Sequence, residues 1–204
     1  MNEENPWKTL NTRVVYDNPW IHVREDSVIQ PDGKKSIYGV VQFKNIAIGV
    51  LPVDDEGYVH LVGQFRYPID KYSWEIPEGG CPEGEDPLSA AQRELMEESG
   101  LSAANWEELG RCNLSNSATD ELAIFYLATN LKQGVAEPEG TELLMHKRLP
   151  FAQALAMVMS GEINDSLSVL AITNYALRFG IKPDAHFLTE IERAQTTHKP
   201  LANR

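Results

Sequence analysis

The chain is 204 residues long, 42% apolar and 24% charged, with 18 Lys and Arg against 30 Asp and Glu, a net charge of −12. That length fits one domain of roughly 150 residues with an extra arm, and the composition is that of an ordinary globular protein. The acidic balance excludes a surface built for nucleic acid or anionic membrane, whose phosphates attract Lys and Arg, but it leaves room for a phosphorylated substrate handled through a bound cation.

In chain order, Met1-Asn2-Glu3-Glu4-Asn5 is acidic with no apolar run behind it, so no secretory leader is expected. The apolar run Ile46 to Val53 is far shorter than the ~20 residues of a membrane-spanning helix. Cys81 and Cys112 are far apart and form no CxxC pattern, which favours a reducing, cytoplasmic setting over a disulfide framework. The stretch from Thr12 to Phe65 reads as strands. Trp20–Arg24 and Val28–Gln30 lead into the turn Pro31-Asp32-Gly33-Lys34, and Ile37–Phe43 returns as the second limb of a hairpin. Two more strands, Ile46–Val53 and Tyr58–Phe65, flank the polar turn Asp54-Asp55-Glu56-Gly57.

A helix follows. Asp86 is the expected N-cap, Pro87 the first helical residue and Gly100 the left-handed C-terminal residue. Leu88, Ala91 and Leu95 recur as one apolar stripe. Strands resume near Arg111 and at Leu122–Leu127. Phe151–Met159 and Leu167–Phe179 read as amphipathic helices, with Met157 and Met159 as core filler. From Lys182 the chain is mostly polar, and its last ten residues are expected to be disordered.

On the first helix, Glu94, Glu97 and Glu98 stand at i, i+3 and i+4 and so share a face. Most glutamate-rich helix faces are merely solvated. Like charges at this spacing repel by a few tenths of a kcal/mol per pair, and hard divalent cations are the usual partners of clustered carboxylates. Arg93 can reach Glu85 across the preceding loop. The whole segment reads Gly79, five residues, Glu85, seven residues, then Arg93-Glu94-Leu95-x-Glu97-Glu98-x-Gly100-Leu101. At average residue usage this arises by chance about once per billion start sites.

This segment resembles the Nudix box at every defining position. The resemblance implies a fold of the α+β class, an α/β/α sandwich with a mixed sheet between helices plus an N-terminal antiparallel β arm. The implied division is an arm over residues 1–45, a Nudix hydrolase domain over 46–195 and a polar tail over 196–204. It implies hydrolysis of a nucleoside diphosphate linked to another moiety, with Mg²⁺ (or Mn²⁺) held by Glu94, Glu97, Glu98 and the backbone carbonyl of Glu78. Many members have a small residue where Glu78 stands. Arg93 and Glu97 belong to the implied catalytic set, and the late acidic loop Glu137–Glu142 supplies Glu142 as the expected base.

The long region before the box resembles the ADP-ribose and sugar-nucleotide pyrophosphatase branch, which implies a homodimer whose arms carry base-stacking aromatics. Trp20 and Tyr38 match those positions, Arg66 a phosphate-binding arginine, Glu75 a substrate or supporting group, and Glu121 a loop acid. Many ADP-ribose-cleaving relatives carry a proline about sixteen residues past the box, whereas none occurs here between Leu101 and Pro138, so ADP-ribose is one candidate among sugar nucleotides. Two alternatives stand beside it: a hydrolase of another X-linked diphosphate, such as a dinucleoside polyphosphate or dinucleotide cofactor, and a non-catalytic nucleotide-binding regulator. The intact carboxylate set disfavours the regulator. The absence of a G-x-S-x-G elbow and the dispersed histidines disfavour serine or zinc hydrolases.

Overall fold

The computed structural model describes residues 4–136 and 144–197. Strand β1 (Lys8–Asp17), β2 (Ile21–Ile29) and β3 (Lys35–Phe43) form an antiparallel three-stranded sheet, the arm. The expected hairpin joins β2 to β3: Gly33 sits at φ +86°, where a side chain would be strained, and its N–H donates to the Gln30 carbonyl at 2.9 Å. Every residue of β1 is exposed, and Leu10, Val14, Val15 and Tyr16 are among them.

β4 (Asn45–Pro52) and β5 (Tyr58–Arg66) form as expected, but they enter different sheets. β4 lies in a mixed sheet of order β7-β4-β9-β8, made with β7 (Glu78–Pro82), β8 (Leu101–Asn113) and β9 (Leu122–Gln133). Its pairing with β9 is parallel and its pairing with β7 antiparallel. β5 pairs with β6 (Lys71–Glu75) and β10 (Met145–Pro150).

The apolar runs of β4 and β9 lack clear alternation because both faces of their sheet are covered. Ile48, Val50, Ile124 and Tyr126 face helix α1 (Pro87–Ser99), meeting Ala90, Ala91 and Leu95. Leu51, Ala123, Phe125 and Leu127 face the opposite way, into a core shared with α2 (Phe151–Ser160), α3 (Ser166–Phe179) and the second small sheet. The sheet is thus sandwiched between helices, as expected.

One expectation is corrected and one element is added. Met157 is fully buried, but Met159 is 63% exposed, because consecutive odd positions near a helix end rotate onto different faces. The polar stretch after Lys182 contains a further helix, α4 (Ala185–Thr197), which packs on α2 and presses Phe187 and Ile191 against the core. Its apolar residues are too few to dominate the local pattern. No helix among the described residues is long and apolar enough to cross a membrane.

Candidate functional site

Helix α1 begins and ends where its sequence dictates. The Asp86 carboxylate accepts the Ser89 N–H at 3.0 Å, and Gly100, at φ +69°, returns its N–H to the Met96 carbonyl. With Ala90, Ala91 and Leu95 fixed against the sheet, helix geometry turns Glu94, Glu97 and Glu98 along its flank. Glu98 is 1% exposed and Glu94 is buried, whereas the Glu97 side chain keeps 31% of its surface. A β-carbon on Gly79 would fall 2.1 Å from the Glu94 carboxyl carbon, so any larger residue there would displace this carboxylate.

Arg93 organises this flank. Its guanidinium donates to Glu94 at 2.7 Å, to Glu97 at 3.0 Å, to both oxygens of Glu85 at 3.1–3.3 Å and to the Gly80 carbonyl at 2.9 Å. The hydrogen bond to Glu85, set against burial and joined by Glu94 and Glu97, raises the Arg93 pKa above the ordinary arginine value.

A second arginine sits where β5 and β6 end and β7 begins. Arg66 Nε donates to the two oxygens of Glu75 at 2.9 and 3.0 Å, and its Nη2 donates to Glu75 at 2.5 Å and to Glu78 Oε1. Glu75 is 2% exposed. The other oxygen of Glu78, Oε2, is buried with no hydrogen-bond partner among the described residues. Asp165 completes the group: one carboxylate oxygen from each of Glu75, Glu78 and Asp165 falls within 4.8 Å of the others. Burial opposes the charged guanidinium, but the hydrogen bonds to Glu75 and the charges of Glu78, Glu75 and Asp165 outweigh it and raise the Arg66 pKa. Burial, then the charges of Asp165 and Glu75, push the Glu78 carboxyl well above the usual carboxylate range. Arg66 pulls the other way without prevailing, because one guanidinium serves three carboxylates.

Glu78 links the Arg66 network to the box helix α1. The backbone N–H of Glu78 donates to Glu98 Oε2 at 2.9 Å while its side chain reaches Arg66. Between them lies a cleft of about 430 Å³, lined among others by Trp20, Arg66, Glu78, Gly79, Glu121 and Asp165. It adjoins a hollow bordered by Arg93, Glu94 and Glu97 and shares Trp20, Gly79 and Gly80 with it. The size suits a small molecule of nucleotide class.

The positions singled out in the sequence fall as follows. Trp20 stands at the cleft, 67% exposed. Tyr38 lies on the arm, edge-on to Trp7, and its hydroxyl donates to the Ser117 carbonyl at 2.5 Å; it is not among the residues lining the cleft. Arg66, Glu75 and Glu78 are brought together, and so are Arg93, Glu94 and Glu97. Glu121 lines the cleft, its carboxyl pushed up by burial and then by the charge of Asp165. Glu142 lies outside the described residues.

Two further residues, one beside the cleft-lining Glu121 and one lining the cleft, carry no motif that singles them out in the sequence. Asp120 accepts the Phe43 N–H at 2.9 Å and the Gln42 amide at 3.2 Å, tying the arm to the loop before Glu121. Asp165 caps α3 by accepting the Ser168 N–H at 2.8 Å, and Ser168 Oγ accepts the Ile76 N–H at 2.9 Å. An Asp before an apolar helix is a cap signature, which marks the helix start but not the cleft.

Chemically, the α1 carboxylates suit a hard divalent cation, which takes oxygen ligands. Glu94 and Glu98 are buried acids, and Gly79 leaves the Glu94 carboxylate its place, so the donor set fits such an ion.

A family model described as the NUDIX domain matches residues 43–166, and one described as the nucleoside diphosphate sugar hydrolase N-terminal domain matches residues 7–41. The ADP-ribose pyrophosphatase of Mycobacterium tuberculosis is 30% identical over 173 residues, covering 83% of this chain and 83% of its own length. The methanol dehydrogenase activator of Bacillus methanolicus is 30% identical over 180 residues, covering 86% of this chain and 95% of its own. Among solved structures, that of an ADP compounds hydrolase superposes with a TM-score of 0.77 at 20% identity, over 88% of this chain and 98% of that one.

Proposed function

The chain belongs to the NUDIX family, and on that premise we propose that it hydrolyses the pyrophosphate bond of a nucleoside diphosphate sugar, ADP-ribose or a related sugar nucleotide, to a nucleoside monophosphate and a sugar phosphate. The observation that carries this reading is the cleft itself: a carboxylate-rich helix flank on one side, a guanidinium at the strand ends on the other, and Trp20 at its edge. Glu94, Glu97 and Glu98, with the Glu78 carbonyl, are the proposed holders of Mg²⁺ or Mn²⁺. Such a cation neutralises phosphoryl oxygens and acidifies water.

The chain's own residues do the rest. Arg93 fixes the rotamers of Glu94 and Glu97 through its 2.7 and 3.0 Å hydrogen bonds, so the carboxylates are preorganised. Arg66 offers a planar fork suited to a diphosphate oxygen pair, aimed by Glu75 behind it. Glu121, which lines the cleft, is the proposed acceptor of a sugar hydroxyl. Trp20 and Tyr38 are the proposed stacking surfaces for the base. Glu142 is the proposed base that orients the attacking water. The exposed apolar face of β1 supports a homodimer through the arm. The cytoplasm is the proposed location.

The test is a panel of ADP-ribose, GDP-mannose, UDP-glucose, NADH and diadenosine polyphosphates with Mg²⁺, products separated by chromatography. AMP plus ribose 5-phosphate from ADP-ribose is the expected result. No turnover of any compound, with binding retained, would overturn the reading in favour of a regulator. Glu142→Gln should lower kcat by about 10²-fold, a general-base magnitude, and near-normal turnover would remove Glu142 from that role.

A further inference from the structure

Glu78 links the Arg66 network to the box helix. Its backbone N–H is held by Glu98 on the box helix, and its side chain is turned the other way, onto Arg66. The side chain keeps 11% of its surface, and Oε2 is enclosed without a hydrogen-bond partner among the described residues. Around it, Glu75 and Asp165 bring two further carboxylates within 4.8 Å, and Arg66 is the cation that reaches Glu75 and Glu78. A buried anionic oxygen that lacks a donor is unfavourable and calls for a partner. Three carboxylates against one guanidinium leave a net charge of the size that a divalent cation neutralises.

The same arrangement constrains Arg66. Its Nε and Nη2 are committed to Glu75 and Glu78, so an incoming diphosphate meets a fork already occupied by an anion. We propose that the Glu78 carboxylate serves two partners in turn: Arg66 in the cation-free protein, and the divalent cation beside the box helix in the loaded one, so that cation loading releases Arg66 for the diphosphate. This rests on the reading of the cleft as a metal-dependent pyrophosphate site. It assigns to the Glu78 side chain a role separate from its backbone carbonyl. By linkage, cation and diphosphate then strengthen each other's binding through Glu78, over and above any direct contact between them.

The experiment is equilibrium binding on the full chain, without turnover. Mn²⁺ is titrated by electron paramagnetic resonance, and α,β-methylene ADP by calorimetry with chelator present. Glu78→Ala should weaken Mn²⁺ by about tenfold, the scale of a lost supporting ligand group. The same variant should bind α,β-methylene ADP more tightly than wild type in chelator, severalfold, because Arg66 Nη2 is no longer shared with Glu78. Adding Arg66→Ala should cancel that gain. Glu78→Gln, which keeps shape and loses charge, should move both constants the same way and covers the case in which the alanine variant does not fold. A Mn²⁺ affinity within twofold of wild type, or a chelator-phase nucleotide affinity that fails to rise, would overturn the proposal. Both shifts as expected with no substrate turned over would leave this latch standing and sink the hydrolase reading. Turnover with neither shift would sink the latch alone.

Discussion

Arg93 and Arg66 each stand among three carboxylates, but in different surroundings. Arg93 works on a helix flank that water reaches: it contacts Glu85, Glu94 and Glu97 directly and still has a hydrogen bond for the Gly80 carbonyl. Arg66 works at buried strand ends, where Glu75 is 2% exposed, and it bonds two carboxylates while the third, Asp165, only adds its charge. In the open network every acid has a donor and the cost of rearrangement is low. In the closed one a carboxylate oxygen is stranded, so a change of ligand state has something to act on. A site that binds a cation on one side and an anion on the other gains from that asymmetry.

The largest effect should come from the buried box-helix acid that holds the Glu78 N–H. Glu98 accepts the Glu78 N–H, and Glu98→Gln should lower turnover by about 10²-fold or more, since a metal contributes several kcal/mol to transition-state stabilisation. Turnover within twofold of wild type would remove α1 from the metal site, and chelation should reproduce the loss in the parent protein. The comparison itself is tested by stability. Arg66→Ala leaves buried carboxylates uncompensated and should cost about 3 kcal/mol in urea unfolding. Arg93→Ala removes partly exposed pairs and should cost about 1 kcal/mol. Equal costs would erase the distinction between open and closed networks.

The smallest effects separate two helix caps. Asp86→Ala should cost about 1 kcal/mol, an ordinary cap. Asp165→Asn should cost less than about 0.5 kcal/mol, because Asn caps as well as Asp and a like charge near Glu78 is removed. A larger loss in thermal unfolding would mean that the Asp165 charge supports the fold.

Much of the open network is legible in the sequence. Asp86, Pro87 and Gly100 bound the helix, and the spacing of Arg93, Glu94, Glu97 and Glu98 sets their common flank. The Arg93–Glu85 contact is legible too, because it closes over a short loop. The β2–β3 hairpin follows from a turn whose glycine needs a positive φ. What the sequence left out has local reasons. α4 carries too few apolar residues to declare itself, and Met159 lies one step beyond the buried face of α2. The Tyr38 hydroxyl bond to the Ser117 carbonyl, which braces the arm, spans residues too distant in sequence for any local pattern to encode.

What the sequence determined by itself is whatever the 3.6-residue period and short turns dictate: the box helix, its caps, the carboxylate flank and the arginine that spans it. What only the tertiary structure decided is the closed network. Arg66, Glu75, Glu78 and Asp165 come from the ends of three strands and the start of α3, and they meet because α3 packs across β4, far away in sequence. No local period encodes that meeting. It follows from burying both faces of the mixed sheet, which brings the start of α3 to the strand ends and places Asp165 beside an arginine already shared by two acids.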